Sequence, residues 1–88
     1  MKIKEGFMLR NIAGNNVVVA VGKATLDFSG MITLNGSGAF LWSLLQNDTT
    51  IDEMALKMCG TYDDVNIETA TNDITEFVTK LKGAGIVE

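Results

Sequence analysis

Histidine and proline are absent from this 88-residue sequence, and cysteine occurs once, as Cys59. Without histidine, the commonest general base and the commonest metal ligand are both missing. A single cysteine excludes an intrachain disulfide, which fits a reducing compartment, so the cytoplasm is the expected location. Long apolar runs are missing too. Val17 to Val21 is the longest, far below the roughly 18–20 residues that span a bilayer. The opening Met1-Lys2-Ile3-Lys4-Glu5-Gly6 turns polar before a signal-peptide core can build. No membrane partner is expected. Positive charge is scarce as well: seven basic against eleven acidic side chains give a net charge of −4. Nucleic-acid binders draw most of their affinity from neutralising phosphates, so no nucleic acid is expected as a partner.

What is present suits one globular domain covering residues 1–88. Apolar residues make up 47% and charged residues 20% of the chain, too apolar and too sparsely charged for a disordered segment. Phe7 to Ile12 reads as a first strand. Ala13-Gly14-Asn15-Asn16 supplies residues that tolerate positive φ and so reads as a hairpin turn. The run Val17 to Val21, β-branched and apolar on both faces, suits a central strand buried on both sides. Leu26-Asp27-Phe28 and the Ser29-Gly30 turn lead into a third strand, Met31-Ile32-Thr33-Leu34.

The remainder is helical. Asn35 caps a first helix through Ala39 to Leu45, apolar nearly all round and therefore buried. Thr50 with Glu53 forms a capping box for a second helix, whose stripe Ile51, Met54, Ala55, Met58 and Cys59 ends at Gly60. A third helix starts at Asn66 and carries the stripe Ile67, Ala70, Ile74, Phe77, Val78 and Leu81. Lys80 and Lys82, just before Gly83, suit the negative end of its macrodipole. Gly85-Ile86-Val87 docks as an apolar tail. The expected fold is α+β and winged helix-turn-helix-like, a three-stranded antiparallel sheet followed by three helices (βββααα).

No catalytic constellation emerges. Cys59 has no basic neighbour in sequence and sits on an apolar stripe, the place of a small buried hydrophobe. Asn35-Gly36-Ser37-Gly38 and Gly22-Lys23-Ala24-Thr25 each lack the glycines and the lysine or hydroxyl that define a phosphate loop. Asp52-Glu53 and Asp63-Asp64 lack the alternating ligands of a calcium loop. The chain is expected to be no enzyme and to need no metal or cofactor. The feature left over is an edge: Met31 to Leu34 carries no lysine or proline to blunt it, so a peptide strand could pair there and drop alternate side chains against the third helix.

The residues also carry a resemblance. Leu34-Asn35, Gly38, Trp42 and Leu44-Leu45 resemble the Leu-Asn-x-x-small-x-x-x-Trp-x-Leu-Leu signature of the PqqD-like family, relatives of coenzyme PQQ synthesis protein D that act as recognition elements for ribosomally made precursor peptides. Asp73-Ile74, Phe77-Val78, Leu81 and Gly85-Ile86-Val87 are similar to its C-terminal pattern, and together the two cover roughly residues 7–88. The resemblance implies a non-catalytic peptide chaperone that binds the leader segment of a precursor peptide by strand addition beside the third strand. It would then present the peptide to a maturation enzyme, in this family often a radical SAM enzyme. Carried onto this chain, the binding residues are Met31, Ile32, Thr33, Ala70, Asp73, Ile74 and Phe77. Two readings of other classes stand beside it. One is a winged-helix DNA regulator, disfavoured by the net acidity of the third helix. The other is a structural or dimerising module without a peptide ligand, pairing edge to edge through the third strand. The chain is expected to be a monomer or weak homodimer.

Overall fold

The computed structural model describes residues 1–22 and 32–88. The readings made on Lys23-Ala24-Thr25, Leu26-Asp27-Phe28, Ser29-Gly30 and Met31 lie outside them.

Three strands precede three helices: β1 (Phe7–Ile12), β2 (Asn15–Ala20), β3 (Ile32–Leu34), α1 (Gly36–Leu44), α2 (Ile51–Thr61) and α3 (Ile67–Gly83). This is the expected βββααα order, as an antiparallel sheet in the order β1-β2-β3. The hairpin turn is tighter than the sequence suggested. Only Ala13 (φ 52°) and Gly14 (φ 84°) leave the strands, and Ile12 pairs directly with Asn15. Two consecutive residues with positive φ match the right-handed twist of a two-residue hairpin, which frees Asn15 and Asn16 to begin β2.

Register decides which face is which. Val18, fully buried, stands opposite Leu9 and Ile32, and all three belong to or pack on the core. Val17 stands opposite Arg10 and Thr33 and so faces away from the helices. Burial of β2 on both sides holds for Val17 and Val18. The outer face nevertheless leaves Met8 and Ile12 exposed.

Side-chain caps start all three helices. Asn35, Thr50 and Asn66 accept from the backbone N–H three residues on, at Gly38, Glu53 and Thr69. The expected capping box is half formed, because the Glu53 carboxylate accepts from the Thr49 hydroxyl at 3.1 Å. Gly60 does not end α2. The helix continues to Thr61, and Tyr62 turns out in extended conformation to meet Phe40 edge-on at 5.6 Å. α3 runs to Gly83. Gly85 takes the positive φ of 76°; its N–H reaches the Lys82 carbonyl and that of Ile86 the Leu81 carbonyl. That pair of bonds is a Schellman motif, and Ile86 packs back toward Leu81 as such motifs favour.

The core gathers Val18, Leu34, Leu41, Trp42, Leu45, Met54, Met58, Ala70, Ile74, Val78, Leu81 and Ile86. Ile67, counted on the α3 stripe, is instead half exposed at the first position of the helix. Cys59 is a free thiol packed partly against the core. The tail docks as expected and also pairs: Ile3 bridges Val87, with Lys4 N–H donating to the Ile86 carbonyl at 2.7 Å. Beside it, the Met1 ammonium donates to the Asp48 carboxylate and holds that carboxyl below the ordinary range.

The Asn35 cap ties β3 to α1, its Oδ1 accepting from Gly38 N–H at 2.8 Å and from Ser37 Oγ at 3.0 Å. Asn35→Ala is expected to lower unfolding stability by about 1 kcal/mol, read as an earlier urea midpoint at unchanged slope.

Candidate functional site

β3 pairs with β2 on one side, and among the described residues no strand lies on the other. Its open edge faces α3 across a recess of about 190 Å³ lined by Ile32, Thr33, Leu34, Phe77, Lys80 and Leu81. The recess continues past Asn35 and Gly38 into a wider one of about 560 Å³. Leu41 of α1 and Met58 of α2 line the wider part, and α3 contributes Asp73, Glu76, Phe77 and Lys80. Asn35, Gly38, Phe77 and Lys80 border both recesses, so the two adjoin and together are the groove.

Helical periodicity explains which side chains reach it. Asp73, Glu76, Phe77 and Lys80 recur at i, i+3, i+4 and i+7, one face of α3. Ala70, Ile74, Val78 and Leu81 form the adjoining face, which packs inward. On β3 the alternation directs Ile32 and Leu34 toward the helices and Thr33 away from them. Gly38 is where β3 turns into α1. A Cβ there would stand 3.2 Å from both the Asn35 Oδ1 and the Leu34 Cβ, so any larger residue crowds the cap and the groove together.

The structure therefore brings Ile32, Thr33 and Phe77 around the narrow part of the groove, and Asp73 joins Phe77 in the wide part. Two of the expected positions lie behind the groove. Ala70 and Ile74 are fully buried and offer no surface to a guest; they support the groove from within. Met31 lies outside the described residues. Sequence reasoning missed Glu76 and Lys80, although their spacing from Asp73 and Phe77 was available. It also missed Met58 and Leu41, which only tertiary packing brings to the groove.

The groove is apolar at its base and charged at its rim. Leu41 and Met58 are almost wholly buried, Phe77 is half-buried, and Asp73, Glu76 and Lys80 are exposed. Among the described residues the one ion pair joins the Met1 ammonium to Asp48, so none of the three rim charges has an ionic partner. The first turn of α1, which borders both recesses, is not an anion cradle, because the Asn35 side chain already accepts from the Gly38 N–H. Among the described residues no three histidine, cysteine or acidic side chains stand close enough to hold a metal ion, and no helix is long and apolar enough to cross a membrane.

No curated protein sequence matches the chain. Among solved structures it is similar to "TbiB1 in Complex with the TbiA(beta) Leader Peptide", with a TM-score of 0.78 at 23% identity, over 100% of this chain and 95% of that one. At that identity the likeness speaks for the fold. Residues 16–87 match the family described as Coenzyme PQQ synthesis protein D (PqqD). That span takes in β2, β3, the three helices and both motifs read from the sequence, and the chain belongs to the PqqD family.

Proposed function

We propose that this protein is a non-catalytic recognition domain that binds the leader segment of a ribosomally made precursor peptide and presents it to a maturation enzyme. The observation that carries the reading is the open edge of β3 set beside a groove walled by α3. An extended peptide completes the unpaired backbone row, as strand addition requires, and its alternate side chains enter the groove. TbiB1, similar in fold over the whole chain, is a protein solved with a leader peptide, and membership of the PqqD family supports the same role.

On this reading Ile32 and Thr33 offer the pairing edge, with Met31 extending it. Phe77 and Asp73 meet the guest's side chains, and Ala70 and Ile74 hold α3 in place behind them. The maturation enzyme, a radical SAM enzyme by the family resemblance, acts on the peptide held there. The absence of histidine supports assigning the chemistry to that partner.

Titration with the N-terminal halves of short precursor peptides encoded beside this gene tests the reading. Amide shifts are expected to concentrate at residues 32–38 and 73–81. Shifts spread over β1 and the outer sheet face, or none at saturating peptide, would count against it.

A further inference from the structure

We infer that the groove selects its guest by charge polarity. It takes an extended segment with a basic residue over Asp73 and Glu76, an apolar residue over Phe77 and an acidic residue over Lys80. The inference rests on the leader-peptide reading above and specifies what kind of leader fits.

The starting observation is a set of charges without partners. Glu76 and Lys80 stand four residues apart on α3, the spacing at which opposite charges on a helix usually meet. Among the described residues they form no ion pair, and neither does Asp73. All three border the groove while its floor, Leu41 and Met58, is almost dry. Charges held along an apolar trench in this way are arranged for complementary charges on an occupant.

Sign is ordered along the groove. Lys80 borders the narrow recess beside β3, whereas Asp73 and Glu76 border only the wide recess beyond it. Phe77 and Lys80 both reach the wide recess too, and along the helix Phe77 lies between Lys80 and the two acidic residues. Along the helix axis Asp73 precedes Phe77 by about 6 Å, and Lys80 follows it by about 4.5 Å. An extended guest repeats side chains on one face about every 6.6 Å. A basic, an apolar and an acidic residue at alternate positions therefore come into register with Asp73–Glu76, Phe77 and Lys80. An apolar peptide without charge fits the floor but leaves all three rim groups uncompensated. A peptide of opposite polarity sets like charges against each other at both ends.

Because the rim charges are exposed, their expected effect is one of selection and not of gross affinity. The test uses a displayed library of random twelve-residue peptides sorted on the whole protein. Peptides are kept when they bind wild type and are lost on at least one of Ile32→Pro and Thr33→Pro, both checked for folding by circular dichroism. The kept peptides are expected to carry Lys or Arg, an apolar residue, and Asp or Glu at alternate positions. Exchanging the two charges within such a peptide should weaken binding by about tenfold. The inverted groove, Asp73→Lys with Glu76→Lys and Lys80→Glu, should prefer the exchanged peptide. Lys80→Glu alone should lose only the preference for the acidic position.

Kept peptides with no such pattern, or an inverted groove that ranks them as wild type does, would overturn the polarity inference while the peptide reading stands. Binding to every peptide that is indifferent to both prolines would remove the reading and the inference together.

Discussion

Peptide binding is expected to fall by roughly tenfold to a hundredfold in one of the two variants Ile32→Pro and Thr33→Pro, with the helices intact. Successive backbone N–H groups of a strand point to opposite sides. One of these two residues therefore donates toward the open edge, and the other into the pairing with β2. Proline at the outward position removes a donor that only a guest would use, and its ring intrudes where the guest strand lies; proline tolerates an edge strand from the domain's own standpoint. Proline at the inward position instead breaks a bond inside the sheet and should cost stability. Isothermal titration with a bound leader, set beside urea unfolding, separates the two effects. If both variants bind like wild type, β3 is not the docking edge.

The second large effect falls on α3. Ile74→Ala is expected to destabilise the domain by about 2–5 kcal/mol, because its side chain is wholly enclosed and the cavity left behind cannot fully collapse. A domain of this size has on the order of 4–13 kcal/mol in hand, so the variant should unfold at a much lower urea concentration. Its effect on binding should vanish once the unfolded fraction is accounted for. Phe77→Ala is the contrasting case. Half-buried and bordering the groove, it should lose less stability and more affinity. The two variants separate residues that hold the wall from residues that form its surface.

Much of the fold could be read in advance because each element announces itself locally. The caps at Asn35, Thr50 and Asn66 are short polar side chains ahead of apolar periodicity, and the β-branched Val17 to Val19 fits no amphipathic helix. Gly60, read as the end of α2, lies one residue inside it, since a glycine ends a helix only where the following chain has somewhere to go. Gly85 has that destination, with Ile86 and Val87 buried beyond it.

The site was legible in outline and inexact in membership. Periodicity placed Asp73, Ile74 and Phe77 on α3 but could not say on which side of the helix the core stops. The fully buried Ile74 and the groove-lining Phe77 are three residues apart and look alike as sequence. Met58 and Leu41 enter the groove from elements with no periodic link to β3, so only the packed structure reveals them. Glu76 and Lys80 were passed over because surface charges on a helix ordinarily mean nothing more than solvation.

The alternation along α3 has a consequence for how such a domain diverges. The positions that hold it together and those that line the groove interleave within the same few turns, yet they do not overlap. Drift at residues 73, 76 and 80 touches exposed side chains whose replacement ordinarily shifts stability by no more than about 0.5 kcal/mol. On the proposed reading, clientele can therefore be exchanged by a handful of substitutions while the scaffold's thermodynamics stay almost untouched.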